Sequence, residues 1–233
     1  EDAVTRLRGK PGSKIDIWIM RDGWDESRLF RLQRAIIKIE SVTSELLDDG
    51  VGYIRIKNFQ GNTYDDMVSQ LDGLRSKLGG ELKGLILDLR NNPGGLLDQA
   101  VAIADHFISS GPLVITVGEG RKKREERAAS YIGSETQYPM AVLVNGGSAS
   151  ASEIVSGAVK NLDRGLVIGQ TTFGKGSVQV LYDFKDRSAL KLTIAQYLTP
   201  GDVSIQSVGI QPDIVVNPIM IKKDHIRAFE PNR

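Results

Sequence analysis

The chain has 233 residues, and at roughly 150 residues per domain this length predicts one full domain with an additional piece. With 40% hydrophobic residues, 25% charged residues and no Cys, the composition excludes disorder, a collagen-like repeat, thiol catalysis, disulfides and cysteine-ligated metal sites. The 30 Lys and Arg against 29 Asp and Glu leave a net charge of +1, too balanced for a protein that grips nucleic acid along an extended face.

The first residues, 1–23, predict the end of a helix, AVTRLRG, then the turn KPGS and the alternating strand KIDIWIMRDG. A helix and one strand cannot bury a core alone, so we expect this piece to complete a domain whose earlier part lies outside the chain. The following stretch, 24–51, carries mixed charge and is predicted as a connector.

From Gly52 onward, strands and helices alternate. The strand GYIRIKNF precedes a helix that places Met67, Leu71 and Leu74 on one face. The apolar run GLILDLR, the turn NNPGG, the amphipathic helix LLDQAVAIADHFI and the strand LVITVG follow.

A polar and charged segment, EGRKKREERAASYIGSETQYP, is predicted as an exposed loop or hairpin before the buried strand MAVLVN. The helix SASEIVSGAVKNL and the strand GLVIG come next, and SVQVLYDF with ALKLTIAQYL predicts a β-hairpin. Strands that alternate with helices favour a layered α/β fold with a mostly parallel sheet.

Small residues concentrate at the ends of three predicted strands, where α/β folds place their functional sites. These segments are 91–95, 145–153 and 169–176. The last one fits the phosphate-loop pattern G-x-x-x-x-G-K, but Gly176 stands where a magnesium-binding Ser or Thr is required. A strand also follows in place of the helix that the pattern needs, so a nucleotide site is disfavoured.

The second segment holds Ser148, Ser150 and Ser152 at a strand-to-helix turn, where a hydroxyl can stand exposed. Ser150 with Glu153 also fits a helix capping box, which is the more common role of a serine at a helix start. Taken alone, this segment leaves both roles open for Ser150.

A serine nucleophile needs a base, and the chain has two histidines. His106 lies in a predicted helix, where a structural role is expected, and His225 lies in a polar tail. Lysine is the remaining candidate, because burial disfavours the ammonium form of a lysine and lets the neutral amine act as general base. Lys175 follows Phe173 and Gly174 and has no neighbouring carboxylate in sequence; a turn lysine in solvent is the alternative.

Three long segments resemble the carboxy-terminal processing peptidases, also called tail-specific proteases. They are LILDLRNNPGGLLDQAV, GSASASEIVSGAVKNLDRGLVIGQTTFGKGSVQ and YLTPGDVSIQSVGIQPDIVV. The resemblance implies a layered, ClpP/crotonase-like α/β peptidase core. It also implies the following division of the chain: a C-terminal PDZ remnant at 1–23, a connector at 24–51, the peptidase core at 52–218 and a polar tail at 219–233.

By position in these motifs, the resemblance implies that Ser150 is the nucleophile and that Lys175, 25 residues later, is the general base. Gln179, four residues beyond the lysine, matches the residue that hydrogen-bonds the lysine amine. Ser148 and Ser152 are expected to be caps or packing residues.

The resemblance also implies an oxyanion hole formed by two backbone N–H groups. One belongs to Ala151, and the other belongs to Gly95, with Gly94 as the alternative register. Glycine lets the backbone approach a tetrahedral intermediate closely, and backbone donors are preorganised for its negative charge.

The activity implied by the resemblance is that of a serine endopeptidase, which cleaves protein substrates near the carboxy terminus through an acyl-enzyme without a metal or organic cofactor. The implied substrates are unfolded or tail-exposed proteins with apolar C-termini. Two further kinds of partner stay open: a second copy of the chain in a homo-oligomer, and a regulatory or adaptor protein. The alternative is a catalytically silent module that binds apolar ligands or peptides on the same fold.

The implied location is outside the cytoplasm, in the bacterial periplasm or cell envelope, although the first residues lack the apolar centre of a signal peptide. Nucleic-acid binding would depend on the run from Arg121 to Arg127. Two glutamates interrupt that run, so we expect a solvated loop and no nucleic-acid partner.

Overall fold

The computed structural model describes residues 2–36, 40–118, 123–130, 133–184, 186 and 188–217. Contacts between residues divide the chain into two compact units, Glu1–Glu40 and Ser41–Arg233. Among the described residues, no helix has the length and apolar character needed to cross a membrane. His225 and the predicted tail, 219–233, lie outside the described residues.

The first unit is one helix and a two-stranded antiparallel sheet. Its elements are α1 (Asp2–Leu7), β1 (Lys14–Ile19) and β2 (Arg28–Gln33). The guanidinium of Arg34 joins helix and hairpin, because it donates hydrogen bonds to the carbonyl oxygens of Leu7 at 2.8 Å and Lys14 at 3.1 Å. The helix and strand predicted within 1–23 are present, and β2 comes from the stretch predicted as a connector.

The second unit contains two sheets. Its strands are β3 (Val42–Leu46), β4 (Val51–Ile56), β5 (Gly84–Asp88), β6 (Pro112–Gly118), β7 (Arg124–Ala128), β8 (Met140–Val144), β9 (Leu166–Gly169), β10 (Ser177–Asp183), β11 (Ala189–Thr199), β12 (Val203–Ser204) and β13 (Ile214–Val215). The larger sheet has the order β13, β9, β8, β5, β4, β3. All its pairs are parallel except β3 with β4, which confirms the predicted α/β fold with a mostly parallel sheet.

The stretch 24–51, predicted as a connector, contributes a strand to each of the two units. Its two ends form strands in different units, with β2 pairing to β1 and β3 pairing to β4. Both strands are amphipathic or polar and depend on a partner strand for their hydrogen bonds, so their own sequences carry little strand signal.

Three helices cover this sheet: α2 (Thr63–Leu78), α3 (Leu97–Phe107) and α4 (Ala151–Asn161). The predicted apolar face of α2 is confirmed, since Met67, Leu71 and Leu74 are fully buried. Helix α4 is buried along its first nine residues and packs against α3, β8 and β9. Its small residues permit this: a Cβ on Gly157 would overlap the side chain of Thr199. The start of α4 is thus held in a dense core.

The second sheet is antiparallel, with the order β10, β11, β6, β7 and with β12 beside β11. The predicted hairpin of SVQVLYDF and ALKLTIAQYL is confirmed as β10 and β11. The charged segment before β8 supplies β7, which pairs with β6 as a hairpin. Residues 119–122, which include the first two residues of the basic run, and residues 131–132 lie outside the described residues.

Candidate active site

Two loops meet at one edge of the parallel sheet. Strands β5 and β8 are adjacent and parallel, so the loops that leave their carboxyl ends emerge on the same side. Hydrogen bonds join the two loops: the Ala149 N–H donates to the carbonyl oxygen of Asn92 at 3.0 Å, and the Asn91 N–H donates to Oδ1 of Asn145 at 2.9 Å. The glycine turn and the serine segment predicted from the sequence therefore form one site.

Ser150 is the residue immediately before α4 and is half-buried. Its backbone has φ 56° and ψ −112°, a conformation that is uncommon for a residue with a side chain and that is typical of functional turns. The predicted capping box with Glu153 is present, and the Ser150 N–H donates to the Glu153 carboxylate at 2.8 Å. The helix that Ser150 begins thus stabilises the strained turn.

The two neighbouring serines hold the loops together. The buried Ser148 hydroxyl donates to the carbonyl oxygen of Leu89 at 2.8 Å, and the buried Ser152 hydroxyl donates to that of Asn92 at 2.9 Å. Both hydroxyls are engaged by backbone groups, as expected for packing residues.

The glycine turn lies directly against the serine. A Cβ on Gly94 would come within 2.7 Å of the Ala149 carbonyl oxygen, 2.8 Å of the Ser150 Cβ and 2.9 Å of the Ala151 nitrogen. Gly94 also has φ 100° and Gly95 has φ 148°. Only glycine lets the two backbones approach this closely in this conformation.

The hydrogen bonds of the turn separate the two glycines. The Gly94 N–H donates to Oδ1 of the buried Asn92 at 2.9 Å. By contrast, within the described part of the chain no acceptor receives the N–H of Gly95 or of Ala151. Two backbone donors near the Ser150 turn are therefore free to bind a ligand atom, and Gly94 is not one of them.

A single buried carboxylate joins Ser150 to the segment that carries Lys175. Glu153 is fully buried, and its Oε2 accepts the N–H groups of both Ser150 and Lys175, each at 2.8 Å. Its Oε1 accepts the Thr172 hydroxyl at 2.6 Å and the Gly174 N–H at 2.7 Å. The backbones of the two predicted catalytic residues thus share one oxygen atom.

Sequence reasoning missed this second role of Glu153. The helix pattern shows only the contact three residues away, whereas three of the four donors lie about twenty positions further along the chain. No local signal in the sequence predicts that contact.

The Lys175 side chain is exposed, whereas the sequence analysis expected burial to shield its amine. Within the described residues, its amine makes no hydrogen bond to Gln179. The exposed Gln179 amide instead donates to the Thr193 hydroxyl at 3.4 Å. Beside Gln179 the pairing of the two strands shifts by one residue, because Val178 pairs with Ala195 and Gln179 pairs with Thr193. Ile194 of β11 is therefore the extra residue of a bulge, and bulges re-aim the side chains beside them. The structure therefore brings the Lys175 backbone to Ser150 but does not join Gln179 to the lysine.

His106 lies away from these loops, in α3, where its side chain is 8% exposed and its Nε2 is 3.3 Å from Oε1 of Glu135. Burial by itself raises the pKa of Glu135, but the adjacent His106 ring and hydrogen bonds from Tyr138 and Arg75 outweigh it and lower that pKa to about 2. The expected structural role of His106 fits this buried network. Among the residues that the structure describes, no cluster of His, Asp and Glu could hold a metal ion.

The mostly parallel sheet packed with helices, with the serine turn and the glycine turn at the carboxyl ends of its strands, places the chain in the class of layered α/β domains. A family model described as Peptidase family S41 matches residues 50–216, and the chain belongs to this peptidase family.

The carboxy-terminal-processing protease of Bartonella bacilliformis is 43% identical to this chain, and the match covers 95% of this chain and 51% of that protein. The carboxyl-terminal-processing protease of Synechocystis is 37% identical, and the match covers 95% of this chain and 52% of that protein. A solved structure titled photosystem II D1 C-terminal processing protease matches with a TM-score of 0.69 and 33% identity, over 90% of this chain and 57% of that one. The chain spans about half the length of the curated relatives that it matches.

Proposed function

We propose that this chain is the catalytic core of a serine endopeptidase that cleaves protein substrates near the carboxy terminus through a Ser150–Lys175 dyad. One observation carries the proposal. The turn that carries Ser150 lies against a glycine turn, and two backbone N–H groups there, those of Gly95 and Ala151, have no acceptor in the described chain. The names of the relatives support processing at the carboxy terminus.

In the proposed reaction, the neutral Lys175 amine removes the proton from the Ser150 hydroxyl as Oγ attacks the peptide carbonyl carbon. The carbonyl oxygen becomes an oxyanion, which the Gly95 and Ala151 N–H groups stabilise. The carbon–nitrogen bond breaks, and the leaving amine takes the proton from the Lys175 ammonium.

The acyl-enzyme is then hydrolysed. Water attacks the ester carbonyl while Lys175 accepts its proton, and that proton returns to Ser150 Oγ as the ester bond breaks. No metal or organic cofactor takes part. Without substrate the Lys175 side chain is exposed. The bound substrate is therefore proposed to cover the lysine amine and exclude water from it.

Substrate alignment is assigned to the second sheet. Lys175 leads directly into β10, and a groove of about 870 Å³ follows β11, with Thr193 and Gln196 among its lining residues. Gln179 donates a hydrogen bond to Thr193, one of the residues that line this groove, and Gln179 is proposed to hold the lysine amine once a substrate is bound.

Three parts of the proposal depend on the family resemblance. Residues 1–23 are proposed as the remnant of a PDZ domain, the substrates as unfolded proteins with apolar C-termini, and the location as the bacterial periplasm or cell envelope. Fractionation of cells that produce the full-length protein tests the location.

The deciding experiment incubates the chain with an unfolded protein that has an apolar C-terminus and compares Ser150→Ala with Ser148→Ala. We expect Ser150→Ala to abolish cleavage with the fold intact. Ser148→Ala loses a buried hydrogen bond but keeps measurable turnover. Wild-type turnover in Ser150→Ala would refute the assignment, and substrate binding without cleavage by the unmodified chain would favour the silent binding module.

A further inference from the structure

We infer that Gln206 is a positioning residue for Lys175, an inference that rests on the proposed function. Residues 172–176, here the base loop, are in contact with Glu153 through three hydrogen bonds. They also contact a second segment, residues 204–210, here the supporting turn. Lys175 therefore lies in a loop that two remote parts of the chain hold.

The supporting turn binds the residues on either side of Lys175. The Gly176 N–H donates to the side-chain Oε1 of Gln206 at 3.1 Å, and the Ser207 N–H donates to the carbonyl oxygen of Gly174 at 2.8 Å. One bond fixes the residue before the lysine and the other fixes the residue after it. The backbone is thus held by hydrogen bonds on both sides of Lys175.

Close backbone contact supports these bonds. A Cβ on Gly176 would lie 2.9 Å from the Gln206 nitrogen, and a Cβ on Gly174 would lie 3.1 Å from the Ser207 Cα. The two segments approach to a distance at which a side chain at either glycine requires one backbone to move. A displacement of the supporting turn would therefore displace the base loop.

Gln206 itself is held in place by its neighbours. Its Nε2 donates to the Ser207 hydroxyl at 3.3 Å, and its backbone N–H donates to the Ser204 hydroxyl at 3.3 Å. These bonds orient the amide so that Oε1 faces Gly176, and the side chain is half-buried. Within the described residues, Gln206 is the one side chain that accepts the Gly176 N–H.

This support matters because the Lys175 amine lies at the end of a flexible and exposed stem. Its distance to Ser150 depends on where the backbone starts that stem, and a misplacement of about 1 Å at a reacting group costs on the order of 100-fold in rate. Gln206 does not touch the reacting atoms, so it acts through the position of the base.

The test measures kcat and KM for Gln206→Met, which keeps the length of the side chain and removes the acceptor. We expect kcat to fall about 10- to 100-fold with KM within about twofold of the wild-type value. Gln206→Glu retains an acceptor oxygen and should restore kcat to within about threefold of the wild-type value when both are measured on the alkaline plateau of the pH–rate profile, since a carboxylate near Lys175 favours the ammonium form at lower pH. Gln211→Met is the matched control, because Gln211 is an exposed glutamine of the same unit, and it should leave both constants unchanged.

Lys175→Ala separates this inference from the function on which it rests. Turnover that survives Lys175→Ala would overturn the dyad and, with it, any role of Gln206 toward that base. If Lys175→Ala is inactive while Gln206→Met keeps the wild-type kcat, only the inference about Gln206 is overturned. It is also overturned if Gln206→Glu loses as much kcat as Gln206→Met. Should Gln206→Met fail to fold, Gln206→Asn, which withdraws the acceptor by one methylene group, must show the same loss in kcat alone.

Discussion

The substitution Glu153→Gln tests whether one carboxylate holds the nucleophile and the base loop together. An amide offers one acceptor oxygen, and its NH₂ group cannot accept a hydrogen bond. Either Oε1 or Oε2 is therefore lost, and each of these oxygens receives two donors. If the NH₂ group takes the place of Oε1, it can donate to the Thr172 hydroxyl, but the Gly174 N–H is left facing a donor. If it takes the place of Oε2, the N–H groups of both Ser150 and Lys175 are left facing a donor.

The expected loss of stability follows from these contacts. At least one buried donor is left without an acceptor in either orientation, which costs roughly 1–3 kcal/mol. In a domain of this size 1 kcal/mol lowers the Tm by about 2–4 °C, and we expect a decrease on the order of 5 °C. Because the lost donors belong to the Ser150 turn or to the base loop, turnover should fall below one-tenth of the wild-type rate even well below the Tm.

Thermal unfolding and proteolysis of an unfolded substrate measure the two effects. Glu125→Gln is the control, since Glu125 is exposed on β7 and the same substitution there should change stability by less than about 0.5 kcal/mol. A Glu153→Gln protein with a Tm within about 2 °C of the wild type and with unchanged turnover would refute the role given to this carboxylate.

The sequence predicts the parts of this protein that are encoded locally. Helix α2 shows its buried face through Met67, Leu71 and Leu74, and the alternation of strands and helices indicates the parallel sheet. The capping box of Ser150 and Glu153 is visible for the same reason, because its two members are one helical turn apart.

What the sequence does not show depends on contacts between distant residues. Strand β3 forms because β4 offers a partner, although its own segment, Val42–Leu46, has little periodicity. The pairing of Gln179 is set by a bulge at Ile194 in the neighbouring strand β11, and no turn residue in the sequence predicts that bulge. The exposed position of Lys175 is likewise a property of the loop that carries it, and the composition around it, rich in small residues, suggested closer packing.

Three further substitutions test the site and its surroundings. Gly94→Ala places a Cβ 2.7 Å from the Ala149 carbonyl oxygen at φ 100°, so we expect a lower Tm and loss of turnover, and normal turnover would contradict the close approach of the two loops. Glu135→Gln should destabilise the protein by about 1–3 kcal/mol at pH 7, because the pKa of the partly solvated Glu135 is lowered to about 2 from the ordinary 4.5. This difference is present above about pH 4.5 and should disappear as the pH falls toward 2, which urea unfolding at several pH values will show. Lys175→Arg should be as inactive as Lys175→Ala, since a guanidinium stays protonated and cannot take the serine proton. The Lys175 side chain is exposed, so neither variant should change the Tm, and a loss of turnover therefore reports the chemistry and not the fold. Near-normal turnover by Lys175→Arg at neutral pH would exclude lysine as the base and return the search to the two histidines.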